Sequence, residues 1–114
     1  MTINFIRPGV TGQTQRASFM AALSLAETLL AETTAIPTHL HVEATEWSPM
    51  TPTVRAYFHH DPAAVREFAN QFFLEVADSV RADGLVQTEA SGRRDGIAVQ
   101  AWALVRVEDE EMAA

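Results

Sequence analysis

The segment Ile97–Val107, IAVQAWALVRV, alternates strictly between two kinds of side chain, and it constrains the fold more than any other stretch. One set is aliphatic throughout, whereas the other contains Gln100, Trp102, Leu104 and Arg106. Successive side chains of a strand point to opposite faces, so this pattern predicts a strand with one face in a core. A strand with two unlike faces is typical of an antiparallel sheet that helices cover on one side.

Two other segments have the period of amphipathic helices. The first, TQRASFMAALSLAETLLAETT, has Thr14 as its predicted N-cap and ends before Pro37, which disfavours helical geometry in the preceding residue. The second has Asp61 as N-cap and Pro62 at its first position, and we expect it to end at Gly84. The predicted buried positions are Phe19, Ala22, Leu23, Ala26, Leu29, Leu30 and Thr33 in the first helix, and Val65, Phe68, Ala69, Phe72, Val76 and Val80 in the second.

A predicted β-hairpin follows each helix. The first pairs residues 38–46 with residues 53–60, and the second pairs LVQTEA with the final strand across the turn SGRRDG. The pattern VEAT…VRAYF returns as VQTE…VQAWA, which suggests an internal αββ repeat. With a short strand at residues 3–6, the order is (β)αββαββ. We therefore predict an α+β fold, ferredoxin-like or a duplicated αββ, with an antiparallel sheet of four or five strands and both helices on one face.

Length and composition set further limits. The 114 residues predict a single domain, 1–114, with an acidic tail at residues 108–114 that begins EDEE. The formal net charge is −7 and all eight basic residues are arginine, which argues against direct nucleic-acid binding. There is no cysteine for a disulfide or a thiolate site. No apolar run reaches the roughly 20 residues needed to span a bilayer, so we expect no membrane association and a cytoplasmic location.

An apolar helix that ends in AIP, a strand pair, a second helix and then SGRRDGIAVQAWALV form a pattern over about residues 16–107. In this pattern the chain resembles small uncharacterised proteins encoded by actinobacteria, their plasmids and phages. The resemblance implies a cytosolic origin, with a mobile element as one source. It brings no catalytic motif and no function with it.

All four histidines lie in one segment, residues 38–62. If the first hairpin pairs so that His39 faces His59, then Glu43 faces Arg55 as an ion pair across the strands. His39, His41 and His59 would then converge on the face away from the helices. Three neutral imidazoles with an open fourth position suit zinc, and zinc makes a bound water more acidic. Solvated surface histidines without a metal are the alternative, so no cofactor is the default expectation and zinc is a hypothesis.

The same outer face contains large side chains of the kinds that anchor interfaces. The candidate interface residues are Tyr57, Leu85, Gln100, Trp102, Leu104 and Arg106, with Leu85 expected beside Trp102. These residues favour a non-enzymatic protein-interaction module that forms a homodimer or binds a partner protein. One alternative is a small metal-binding or ligand-binding enzyme of the dimeric ferredoxin-like type. Another is an acidic inhibitor that mimics nucleic acid.

Overall fold

A computed structural model describes residues 8–106, with side chains from residue 13 onward. Within this range the chain forms two helices and five strands. Their bounds are α1 Pro8–Glu32, β1 His39–Thr45, β2 Ser48–Tyr57, α2 Pro62–Phe72, β3 Glu75–Val80, β4 Leu85–Arg94 and β5 Ile97–Arg106. The predicted α+β class is confirmed. The strand predicted at residues 3–6 and the acidic tail at 108–114 lie outside the described residues.

The five described strands form one sheet in the order β1-β2-β5-β4-β3. The central strands β2 and β5 run parallel, and the other neighbours are antiparallel, so the sheet is mixed rather than wholly antiparallel as predicted. Both helices pack on one face of this sheet and share one core with it. The core includes Ala22, Ala26 and Leu29 of α1, Val65, Phe68 and Phe72 of α2, and Val54, Ala56, Val99, Ala101 and Ala103 of the central strands. The prediction of two helices on one face is therefore confirmed.

Helix α1 differs from its prediction at its start and along its buried stripe. It begins at Pro8, so Thr14 lies inside the helix and the prediction of an N-cap there is wrong. Leu25 is buried, whereas Leu23 and Leu30 are exposed. The segment has apolar residues on more than one side, so its periodicity left the rotation of the helix about its axis undetermined.

Helix α2 begins as predicted but ends much earlier. The backbone N–H of Ala64 donates to Asp61 Oδ1 at 3.0 Å, which confirms the N-cap. The helix ends at Phe72 because Phe73 adopts a left-handed conformation, with φ of 59°, and the Leu74 N–H donates to the Ala69 carbonyl. The prediction of a helix to Gly84 is therefore wrong.

The segment after α2 is instead the edge strand β3. Val76 and Val80 are four residues apart, so they share a face in a helix and also in a strand, and their pattern did not distinguish the two. Gly84, with φ of 85°, lies in the turn between β3 and β4 rather than at a helix C-cap. The second hairpin turns at Asp95 and Gly96, whose φ values are 54° and 78°, so β4 extends to Arg94.

A polar cluster joins α2 to β3 and β4. Asp78 accepts hydrogen bonds from Thr88 Oγ1 at 2.6 Å and from Arg66 Nη2 at 2.8 Å. Thr88 is fully buried and lies opposite Asp78 in the β3–β4 register. The hydrogen bonds from Thr88 and Arg66 lower the pKa of Asp78, against a smaller opposing effect of burial.

Candidate interaction face

No element in the described part of the chain covers the sheet face opposite the helices. Because strand residues alternate, this open face contains Tyr57 from β2, Gln100, Trp102, Leu104 and Arg106 from β5, and Leu85 from β4. The β5 side chains that point towards the helices are all buried, whereas Gln100, Trp102 and Leu104 on the opposite face are half-buried. We therefore define the open face as the side of the sheet that contains Tyr57 and Trp102.

Three aromatic rings form a row across the open face. His39, Tyr57 and Trp102 are directly opposite one another in the registers of β1, β2 and β5. The His39 and Tyr57 rings stack, with centroids 5.8 Å apart and planes at 15°. The Tyr57 and Trp102 rings are tilted, with centroids 4.5 Å apart. The parallel pairing of β2 with β5 is what brings Tyr57 and Trp102 together, although 45 positions separate them (102 − 57 = 45).

A shallow depression of about 410 Å³ lies beside this row. Its lining residues are His39, His41, Arg55, Tyr57 and Trp102. The aromatic rings supply apolar area, and the guanidinium and imidazoles supply hydrogen-bond donors at one side. This combination of ring faces and few polar groups suits an anchoring side chain from another protein.

The register of the first hairpin differs from its prediction by two residues. His39 lies opposite Tyr57, and His41 lies opposite Arg55, so the predicted pairs of His39 with His59 and Glu43 with Arg55 are wrong. Glu43 instead lies 3.8 Å from His41, measured from Oε1 to Nε2. The shift keeps every side chain on its predicted face because it is an even number of residues.

His59 lies beyond the end of β2 rather than on the open face beside the other histidines. Its Nδ1 is 2.8 Å from the Tyr57 hydroxyl, and its backbone N–H donates to Thr38 Oγ1. The next residue, His60, has a positive φ of 53°, and its ring stacks on that of His59 with centroids 3.9 Å apart. This tight turn leads into the cap of α2 and keeps the His59 ring beside Tyr57.

The described residues contain no group of three or more histidine or acidic side chains placed to hold a metal ion. The predicted set of His39, His41 and His59 depended on a register that the first hairpin does not adopt. The pairing that the chain does adopt places Tyr57, not an imidazole, opposite His39. His39 and His41 therefore contribute ring faces and polar atoms to the open face, and the three predicted imidazoles do not form a metal-holding cluster among the described residues.

The second hairpin also pairs differently from its prediction. Leu85 lies opposite Arg106, and Trp102 lies opposite Glu89, so the expected contact of Leu85 with Trp102 is wrong. The side chain of Glu89 accepts a hydrogen bond from Gln87 at 2.8 Å. Glu89 and Gln87 thus border the aromatic row and were missed as site residues. The alternation in LVQTEA predicts that both side chains lie on this face. Their neighbours on β5 could not be predicted, because the register depends on the length of the turn.

Charges on the open face balance, unlike those of the whole chain. The described strands present three arginines and three glutamates there, namely Arg55, Arg93 and Arg106 with Glu43, Glu75 and Glu89. The complete sequence has a formal charge of −7. The acidic excess therefore belongs to other parts of the chain.

Searches against protein-family models, curated proteins and solved structures each found no match to this chain. Neither helix of the described part is long and apolar enough to cross a membrane.

Proposed function

We propose that this protein is a non-enzymatic interaction module that self-associates, or binds a partner protein, through the open face. In the homodimer, two copies place their open faces together about a two-fold axis. Each copy then supplies the same patch to the other, as closed symmetric dimers do. A face of this size buries around 800 Å² per subunit, which is ordinary for a specific dimer.

The observation that carries the proposal is the aromatic row of His39, Tyr57 and Trp102. Large rings on an uncovered sheet face leave apolar area in water, and covering that area is favourable. Tryptophan and tyrosine are also the side chains most often found as energetic anchors of interfaces. Tyr57 and Trp102 lie on the inner strands β2 and β5, so these two anchors are held by strands that are paired on both sides.

The balanced charge of the open face supports a partner of the same kind. The open face has three arginines and three glutamates, so each copy presents positive and negative side chains to the other. The remaining surface carries the net charge of −7, which repels a second copy. Self-association through the open face is therefore less opposed by electrostatics than association through other surfaces. It should also depend only weakly on salt concentration.

The test compares the two tryptophans of the chain. Trp102→Ala removes an interface anchor, so it should weaken the dimer by more than about 2 kcal/mol, or roughly 30-fold in dissociation constant. Trp47→Ala is the matched control, since Trp47 is 81% exposed in the connection between β1 and β2. It should leave the dissociation constant unchanged. Sedimentation equilibrium measures both constants.

Fluorescence provides a second measurement at the site itself. In the Trp47→Ala variant, all tryptophan emission comes from Trp102, because the chain has two tryptophans. Its emission should shift to shorter wavelength as concentration rises through the dissociation constant. A protein that remains monomeric at millimolar concentration, with constant Trp102 emission, would contradict self-association. Equal weakening by the two tryptophan variants would contradict the assignment to the open face.

A further inference from the structure

Strand β3 is the outermost strand of the described sheet, next to β4. All six of its residues, Glu75–Val80, are exposed. An edge strand of this kind presents unpaired backbone donors and acceptors, which is the usual starting point for pairing with another strand. This surface is separate from the open face and does not depend on the function proposed above.

The helices cover β3 only partly on their own side of the sheet, where Arg66 of α2 reaches Asp78. Helix α2 ends at Phe72, and its buried residues pack into the core with the inner strands. Val76 and Val80 point to the helix side of β3, yet they are 38% and 72% exposed. Among the residues that the structure describes, the strand therefore combines an unpaired backbone edge with two aliphatic side chains, Val76 and Val80, that are partly and largely exposed.

The direction of the free backbone groups follows from one hydrogen bond. The N–H of Arg81 donates to the Leu85 carbonyl of β4 at 2.7 Å, so the backbone of Arg81 points towards β4. Backbone groups alternate in direction along an antiparallel strand. Ala77 and Ser79 therefore also point towards β4, whereas the N–H and C=O groups of Val76, Asp78 and Val80 point outwards.

The segment EVADSVR is complementary to itself when it pairs antiparallel with its own copy. With Asp78 at the two-fold axis, Val76 lies opposite the second copy's Val80, and Glu75 lies opposite the second copy's Arg81. Each outward-pointing pair exchanges two hydrogen bonds, about six in total for the three pairs. Aliphatic pairs and opposite charges directly across two strands are both favourable.

Asp78 would face its own copy in this arrangement, and like charges across strands are unfavourable. Each Asp78 carboxylate, however, is bound by Arg66 and Thr88 of its own chain. The guanidinium compensates its charge, and these contacts hold the carboxylate towards α2 and β4. A slip of two residues in either direction loses the pairing of Glu75 with Arg81, so charge complementarity favours the centred register.

We propose that β3 is a second self-association surface, at which two copies of this chain join antiparallel, centred on Asp78, into one continuous sheet. A two-fold axis perpendicular to the sheet keeps the helices of both copies on the same side. The open faces of the two copies then also lie on one side, where they form a doubled interaction surface. Linked copies of a binding face raise the apparent affinity for a partner that is itself multivalent.

The test is a charge swap across the predicted pair, made in the Trp102→Ala background to remove association through the open face. Glu75→Arg alone places like charges opposite each other at both ends of the interface, as does Arg81→Glu alone. Each should weaken dimerisation about tenfold in sedimentation equilibrium. The double variant restores opposite charges and should return to within about threefold of the parent. Circular dichroism checks that each variant retains its fold.

Hydrogen exchange provides a readout that a changed fold alone does not reproduce. The amides of Val76, Asp78 and Val80 should exchange more slowly as concentration rises, whereas those of Ala77 and Ser79 should be protected at every concentration. Val80→Lys should remove the concentration dependence. The proposal is overturned if the outward amides exchange equally fast at low and high concentration. It is also overturned if the double charge swap fails to restore the affinity that the single variants lose.

Discussion

The cluster of Asp78, Thr88 and Arg66 offers a sharp test of how β3 is held to the rest of the sheet. The Thr88 hydroxyl is fully buried and donates to Asp78 Oδ1 at 2.6 Å. Asp78→Ala leaves this hydroxyl without that acceptor, which costs about 1–3 kcal/mol. The lost ion pair with Arg66 adds little, about 0–1 kcal/mol, because both side chains are roughly half exposed. We expect a total loss of about 2 kcal/mol in the free energy of unfolding.

Thr88→Val is the matched change that isolates the buried hydroxyl. The double variant Asp78→Ala with Thr88→Val removes donor and acceptor together, which is close to neutral when both are replaced by apolar groups. It should recover most of the stability that Asp78→Ala alone loses. Urea denaturation at pH 7, at one protein concentration, measures all four members of the cycle.

The pH dependence gives an independent check on the same carboxyl group. The pKa of Asp78 is lower in the folded protein than in the unfolded chain. Its contribution to stability is therefore fully present above the unfolded value, about pH 4, and is lost as the pH falls through the folded pKa. The stability difference between wild type and Asp78→Ala should shrink below pH 4. A loss under about 0.5 kcal/mol at pH 7, or no rescue by Thr88→Val, would mean that water replaces the carboxylate and would refute this reasoning.

Two further predictions concern the end of α2 and the histidines. Phe73→Gly should raise the free energy of unfolding by about 0.5–1 kcal/mol, because Phe73 is 92% exposed and has a left-handed backbone that glycine adopts without steric cost. Phe72→Ala, one residue earlier and buried, should lower it by about 3 kcal/mol, and similar effects of the two changes in thermal denaturation would contradict the position of the helix end. Native mass spectrometry in the presence of zinc should show no stoichiometric metal, and replacing His39, His41 or His59 by alanine should not change the result. One bound zinc that His41→Ala abolishes would contradict the register of β1 with β2.

The elements that could be read from the sequence are those whose signals are local. Asp61 and Pro62 mark the start of α2 because a carboxylate acceptor and a missing N–H both suit the first turn of a helix. Asp95 and Gly96 mark the second hairpin turn because both must adopt positive φ. The alternation along β5 identified its core side without reference to any other part of the chain.

The elements that were misread depend on neighbours distant in sequence. The segment Glu75–Val80 has valines at a spacing that suits a helix, but it lies beside β4, where its backbone groups find partners. Thr14 has the side chain of an N-cap, but α1 continues back to Pro8. For Glu75–Val80 the local pattern suits either conformation, and pairing with β4 selects the strand.

For the open face, the sequence predicts which side chains share the face but not which of them are neighbours. The sequence alone determined that His39, Tyr57, Trp102 and Leu85 share the face away from the helices. The tertiary structure decided that Tyr57 contacts Trp102 while Leu85 lies across from Arg106. Side chains of a strand repeat every two residues, so a shift of two in register preserves the face of each side chain and changes its neighbours. Turn lengths and core packing set that register, and the alternation of a single strand predicts neither of them.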